Sequence, residues 1–204
     1  MCYNTTISLN TFIYAIISSI IVFSLNEIDN EIILITLSVS IMQLLEYFTW
    51  KYIDNKTYNY YLSIIGSLII LIQVILINYF NLYDKNERII AFTIIFIGTI
   101  YIYYYVFTNN LLYMDVGKNG HLVWHYTDIP PLILLIIFIL YSYPFFRAKK
   151  FNEGIIVLIF LFISLYFYYK YKTWGSMWCY LINIIWVVLI IVSLYNKCIK
   201  LIKD

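Results

Sequence analysis

Charge is what this sequence has least of. Asp, Glu, Lys and Arg make up 12% of its 204 residues, against roughly a quarter in a soluble domain. The formal net charge is +2, which leaves no basic field for nucleic acid. Three cysteines, Cys2, Cys179 and Cys198, form no disulfide framework. Cys179 lies inside an apolar run, and Cys198 follows Lys197 at the end of one, where a free thiol is the commoner reading and palmitoylation the alternative. Six glycines, three prolines, three alanines and two arginines stand against 42 Ile and 23 Tyr. The scarce residues are those with GC-rich codons, so the source genome is read as AT-rich. In such a chain a Tyr or Asn carries little information. A Trp, His, Gly or Pro carries more.

What the chain has instead is apolar length. It is 63% hydrophobic with a mean hydropathy of +0.84, so lipid must serve as its solvent. A membrane-spanning helix needs about 17–25 mostly apolar residues. Seven stretches answer to that, at about residues 8–25, 32–50, 58–80, 89–107, 128–143, 154–169 and 175–195. The expected fold is an all-α polytopic membrane protein, a seven-helix bundle forming one domain over residues 1–204, with the bilayer as its obligatory partner. Pro130 and Pro131 fall in the first turn of the fifth stretch, where a missing amide donor costs little. The first apolar segment lacks the basic flank and cleavage site of a signal peptide. Lys and Arg are the more numerous in loops 26–31, 81–88 and 144–153 and in the tail. That bias predicts an outside N-terminus and a cytoplasmic C-terminus. The sequons at Asn4 and Asn55 then fall outside but close to the membrane, poorly placed for glycosylation.

The unusual polar residues gather. Glu46 is the one carboxylate in the interior of an expected span, where a charge costs on the order of 2.5–3.5 kcal/mol. Helical geometry puts Gln43 and Trp50 within reach of it, at i−3 and i+4. This face is read either as a site for an ion, proton or small ligand, or as a polar clasp between helices. In the seventh stretch Ser176, Cys179 and Asn183 recur on one face with Trp186 and Ser193. The long loop 108–127 carries both histidines. If residues 121–128 were helical, His121, His125 and Asp128 would share a face at a spacing that can hold Zn²⁺. The simpler role for Asp128 is as N-cap of the fifth helix.

Parity brings these features together. The second helix ends, and the fifth and seventh begin, on the same membrane side. Gln43, Glu46, Ser176, Cys179 and the histidine loop therefore occupy one half of the bilayer. Trp50, Trp124, Trp174 and Trp178 lie there too. An aromatic belt alone would populate both interfaces. The expectation is a vestibule on that side, rimmed by Trp50, His121, Trp124, His125, Trp174 and Trp178, with the long loop dipping in as a lid or short interfacial helix.

Two strings resemble a known family. Gln43-Leu44-Leu45-Glu46-Tyr47-Phe48-Thr49-Trp50 reads Q-x-x-E-x-x-x-W, and Trp174-Gly175-Ser176-Met177-Trp178-Cys179 reads W-G-S-x-W-C. Together they resemble an uncharacterised seven-span membrane family of bacteria and large DNA viruses. The resemblance implies a seven-helix bundle with the two motifs facing each other, and no activity. With the AT-rich usage, it points to a viral source and a host or virion membrane. No Lys lies in the seventh span to hold retinal, which disfavours a rhodopsin. Three functions stay open: a small-ligand or ion binding or transport bundle centred on Glu46; a structural or membrane-remodelling protein without catalysis; and a metal-dependent intramembrane hydrolase. No Ser–His pair, P-loop or dinucleotide fingerprint argues for other enzymes, and no cofactor is implied.

Overall fold

The computed structural model describes residues 4–203, so Cys2 lies outside the described residues. The chain is an all-α bundle of a polytopic membrane protein. Its helices are α1 (Thr5–Leu25), α2 (Asn30–Lys51), α3 (Lys56–Asn81), α4 (Lys85–Thr108), α5 (Pro131–Arg147), α6 (Phe151–Tyr168), α7 (Trp174–Ile182) and α8 (Ile185–Lys203). Six segments are long and apolar enough to cross a membrane, the last of them α7 and α8 taken together; α5, at 17 residues, is shorter. Polar residues in the short loops start the helices. Asn4, Asn55 and Asp84 each accept hydrogen bonds from first-turn amides of α1, α3 and α4. Asn26 closes α1 in the left-handed region at φ 54°.

α2 is the axis of the bundle, packed against α1, α3 and α7. Its apolar core residues Val39, Met42 and Leu45 are buried alongside Gln43 and Glu46. α4 leans mainly on α3 and is the least buried spanning helix. Loops 26–31, 81–88 and 144–153 and the C-terminal turn lie at one end of the bundle. Ion pairs join them there: Lys200 to Glu27 at 2.7 Å, Lys150 to Glu31 at 3.2 Å, and Arg147 to Glu87 at 2.5 Å.

Three sequence expectations are corrected. The fifth helix begins at Pro131, not Asp128, and Pro130 rather than Asp128 occupies the N-cap position. Pro131 forces the residue before it out of helical geometry, and Pro130 is extended at φ −53°, ψ 138°. The same helix then runs through Pro144 to Arg147. Pro144 has no amide to give the Leu140 carbonyl; the Asn78 side-chain amide of α3 donates to that carbonyl instead, at 2.9 Å. The seventh stretch is two helices, broken at Asn183 and Ile184. Asn183 Nδ2 takes the Cys179 carbonyl at 2.8 Å, the acceptor its own backbone amide would use in an α-helix. That amide turns to Tyr180 O, and the Ile184, Trp186 and Val187 amides follow with the same tight i−3 spacing.

Candidate functional site

The loop between α4 and α5 is a folded cap. Strands β1 (Met114–Val116) and β2 (Leu122–Trp124) form an antiparallel ladder pairing Met114 with Trp124 and Val116 with Leu122. A 3₁₀ turn, His125–Thr127, leads into the prolines. The expected interfacial helix is therefore a hairpin. Its turn comes from the Gly117 amide donating to the His121 carbonyl at 2.8 Å and from Gly120 at φ 77°. Non-helical backbone at a membrane protein's rim needs internal partners, and α3 and α7 supply them. Asn59 brackets Met114, donating to its carbonyl at 2.7 Å and accepting from its amide at 2.8 Å. Asn119 Nδ2 donates to Thr173 Oγ1 at 2.9 Å. The Ser164 hydroxyl of α6 donates to the Trp174 carbonyl, tying α6 to the start of α7.

Two glycines let the cap sink in. A methyl group on Gly66 of α3 would lie 2.5 Å from the Tyr126 hydroxyl, so that hydroxyl rests on bare backbone. A methyl on Gly175 would meet the Trp124 ring at 3.1 Å. Trp124 and Tyr126 stack on each other, 5.9 Å between centroids, and both are buried.

Beneath the cap, α2 and α7 face each other. Gln43, Glu46, Ser176 and Cys179 are buried to 1% exposure or less. The Glu46 carboxyl is close enough to act electrostatically on the Cys179 thiol and the Tyr126 hydroxyl. Glu46 thus faces protein. Deeper, Asn183 belongs to a separate cluster. Ser40 Oγ lies 2.8 Å from Asn183 Oδ1 and accepts from Trp186 Nε1 at 3.0 Å. That cluster locks α2 to the helix break, so Asn183 acts as a clasp.

A cleft of about 450 Å³ lies beside this centre, walled by α3, α4 and α5 and backed by α7. Ile and Leu side chains dominate its lining, and Gly98 of α4 opens onto it with nothing within 4 Å of where a Cβ would sit. Its inner wall carries Trp124, Tyr126, Tyr141, Trp178 and Cys179. Tyr141 is held in place by its hydroxyl, which donates to Gln73 Oε1 at 2.8 Å, and its ring meets Trp178 edge-on. The Trp124 and Trp178 indole nitrogens and the Tyr126 hydroxyl are buried with no hydrogen-bond partner among the described residues. The same holds for the Trp50 indole and the Ser176 hydroxyl.

The structure divides the residues that the sequence placed around one vestibule. Gln43, Glu46 and Ser176 are shut away from the cleft, and Cys179 stands between them and it. Trp124, Trp174, Trp178 and Cys179 line the cleft, whereas Gln43, Glu46 and Trp50 do not. His121 is buried against Tyr168, 5.6 Å between ring centroids, and burial lowers its pKa to about 4. His125 stacks on Tyr113 and meets Asp115 at 3.1 Å. Asp128 pairs with Lys172 at 2.5 Å. A helical zinc face of His121, His125 and Asp128 does not form, because residues 122–124 are strand and 125–127 are a 3₁₀ turn. No group of three or more His, Cys, Asp or Glu among the described residues could hold a metal ion. Tyr126, Tyr141, Asn59 and Gly98 escaped the sequence reading. Gly66 and Gly98 were the available signals, as rare glycines inside expected spans. No family model, curated protein or solved structure matches the chain.

Proposed function

We propose that this membrane protein is a binding bundle that takes a small apolar or amphipathic ligand sideways from the bilayer into the cleft between α4 and α5. The observation that carries this reading is the cleft's inner wall. Trp124, Trp174 and Trp178 give the cleft broad ring surfaces, and Ile and Leu side chains of α3, α4 and α5 make up most of the rest of its lining. A ligand with an apolar body fits such a lining, in the pattern of small-molecule sites generally. Glu46 lies behind that wall, outside the cleft's lining. The cleft wall between Glu46 and lipid favours ligand binding over ion transport. The alternative, a structural bundle without a ligand, draws support from the Ser40–Asn183–Trp186 clasp and from the Asn78–Leu140 and Tyr141–Gln73 bonds between α3 and α5.

Gly98→Phe tests the reading. The new ring has open space to enter and fills the cleft. In vesicles containing lipids with brominated acyl chains, Trp fluorescence of the native protein is quenched by chains reaching Trp124, Trp174 and Trp178. Gly98→Phe is expected to remove the larger part of that quenching. Equal quenching in both proteins would overturn the reading.

A further inference from the structure

The hydroxyls along the cleft have already given their protons to the protein. A hydroxyl has one to give. Ser67 Oγ donates to the Ile64 carbonyl at 2.8 Å, so in its 2.9 Å contact with Tyr103 the tyrosine is the donor. Thr99 donates to the Ile95 carbonyl and Thr127 to the Trp124 carbonyl, each at 2.7 Å. Tyr141 is bound to Gln73. The Trp124 and Trp178 indole nitrogens and the Tyr126 hydroxyl are buried and do not open into the cleft. Tyr101 and Trp174 remain, and both stand at its margins. Tyr101 is exposed on α4, and Trp174 begins α7 at the rim. Among the described residues no Asp, Glu, Lys, Arg or His lines the cleft.

We infer that the cleft holds a hydrocarbon segment of a membrane lipid and excludes polar groups from that segment, so that the lipid is recognised by its chain and not by its headgroup. The inference rests on the binding reading above and names the ligand class. Its physical basis is the supply of donors. A carbonyl drawn into the cleft leaves the water of the interface and finds no free N–H or O–H in its place. A methylene group loses nothing by the same move, because it exchanges one hydrocarbon for another. Packing against rings held in fixed positions favours its entry. Tyr141 and Trp178 are such rings, joined edge-on, with the tyrosine anchored by Gln73. A wall without charge offers a headgroup nothing to bind. At about 450 Å³, the cleft lies in the range of sites that take a single small ligand, about 300–1,000 Å³.

The native protein is placed in vesicles of phosphatidylcholine with dibromostearoyl chains. The cleft's share of Trp quenching is the difference between this protein and Gly98→Phe. Two competitors of equal length are then added in rising mole fraction: tridecane, and dihexyl ketone, which differs from it by one carbonyl in mid-chain. Tridecane is expected to remove the cleft's share of quenching. The ketone is expected to need about tenfold more, the cost of one unmet acceptor. Ser67→Ala frees the Tyr103 proton for an acceptor in the cleft, and in that variant the gap should close to about threefold or less. A ketone that matches or outdoes tridecane on the native protein overturns the inference. So does a gap that stays unchanged in Ser67→Ala, or quenching that tridecane does not lower. In each of these cases the difference between the native protein and Gly98→Phe remains, and the cleft reading stands with it. Equal quenching of those two proteins before any competitor is added overturns the cleft reading itself.

Discussion

Asn59 and Met114 are joined as two strands would be: the side-chain amide of one gives and takes a hydrogen bond with the backbone of the other, at 2.7 and 2.8 Å. This single residue of α3 stands where the cap's hairpin would otherwise need a third strand. The cap's depth, and with it the position of Trp124 and Tyr126 over the cleft, depends on it.

Asn59→Leu is therefore expected to loosen the cap. It leaves a buried amide and carbonyl of Met114 unmet, at a cost of about 2–4 kcal/mol for the two groups. Hydrogen exchange at residues 112–127 should rise by orders of magnitude while exchange in α1 and α2 stays slow. Unchanged protection of the hairpin would show that the ladder stands without its latch.

The Leu140 carbonyl has lost its helical donor to Pro144 and gained Asn78. Asn78→Leu should destabilise the bundle by about 1–3 kcal/mol, because an orphaned carbonyl in lipid has no water to turn to. Adding Pro144→Ala restores a backbone amide at the right place. The double variant should recover most of the loss, measured by unfolding in detergent. Additive losses would exclude this exchange of donors.

At Gly66 the expected response is steric. Gly66→Ala places a methyl 2.5 Å from the Tyr126 hydroxyl and 2.8 Å from Leu45, and overpacking of that kind costs about 1–3 kcal/mol. Tyr126→Phe removes the nearest atom and should relieve part of that cost in the double variant. Thermal unfolding of the four proteins in a mutant cycle measures the coupling. A coupling of zero would mean that the cap and α3 do not touch here.

His121 makes the cap sensitive to acid. Burial holds its pKa at about 4 in the folded protein, below the ordinary 6.5. Between those values the unfolded chain binds more protons, so stability rises with pH there. The contribution is complete above about pH 6.5 and is lost as pH falls to about 4; allowing for screening at the rim it amounts to about 1–2 kcal/mol. His121→Gln should flatten the dependence of thermal stability on pH in this window. A slope that survives the substitution would assign it to other groups.

The elements most legible in the sequence were those set by local chemistry. A helix in lipid must satisfy its own backbone, so long apolar runs between polar caps define α1 to α4 and α6 from composition alone. Parity then assigns each helix end to a side, and with it the proximity of the 43–50 and 174–179 motifs. Glu46 was legible for the same reason, because a carboxylate in the interior of a span has few places to face other than protein. Asn183 shows where such reasoning stops. Its spacing suited an unbroken stripe, yet the helix breaks at Asn183 and Ile184, where the backbone amides turn to i−3 acceptors.

What only the tertiary structure decided are relationships between groups far apart in the chain. Pro144 stays in a helix because Asn78, from another helix, replaces the donor it lacks. The cap is a hairpin because Asn59 and Thr173 supply partners that no local sequence could offer it. Gly66 marks a buried hydroxyl and Gly98 an open cleft, although both are glycines inside apolar helices. Hydrophobic transfer into lipid depends on composition, so it is decided residue by residue along the chain. Cavities and hydrogen-bond exchanges depend on which side chains meet, and packing alone determines that.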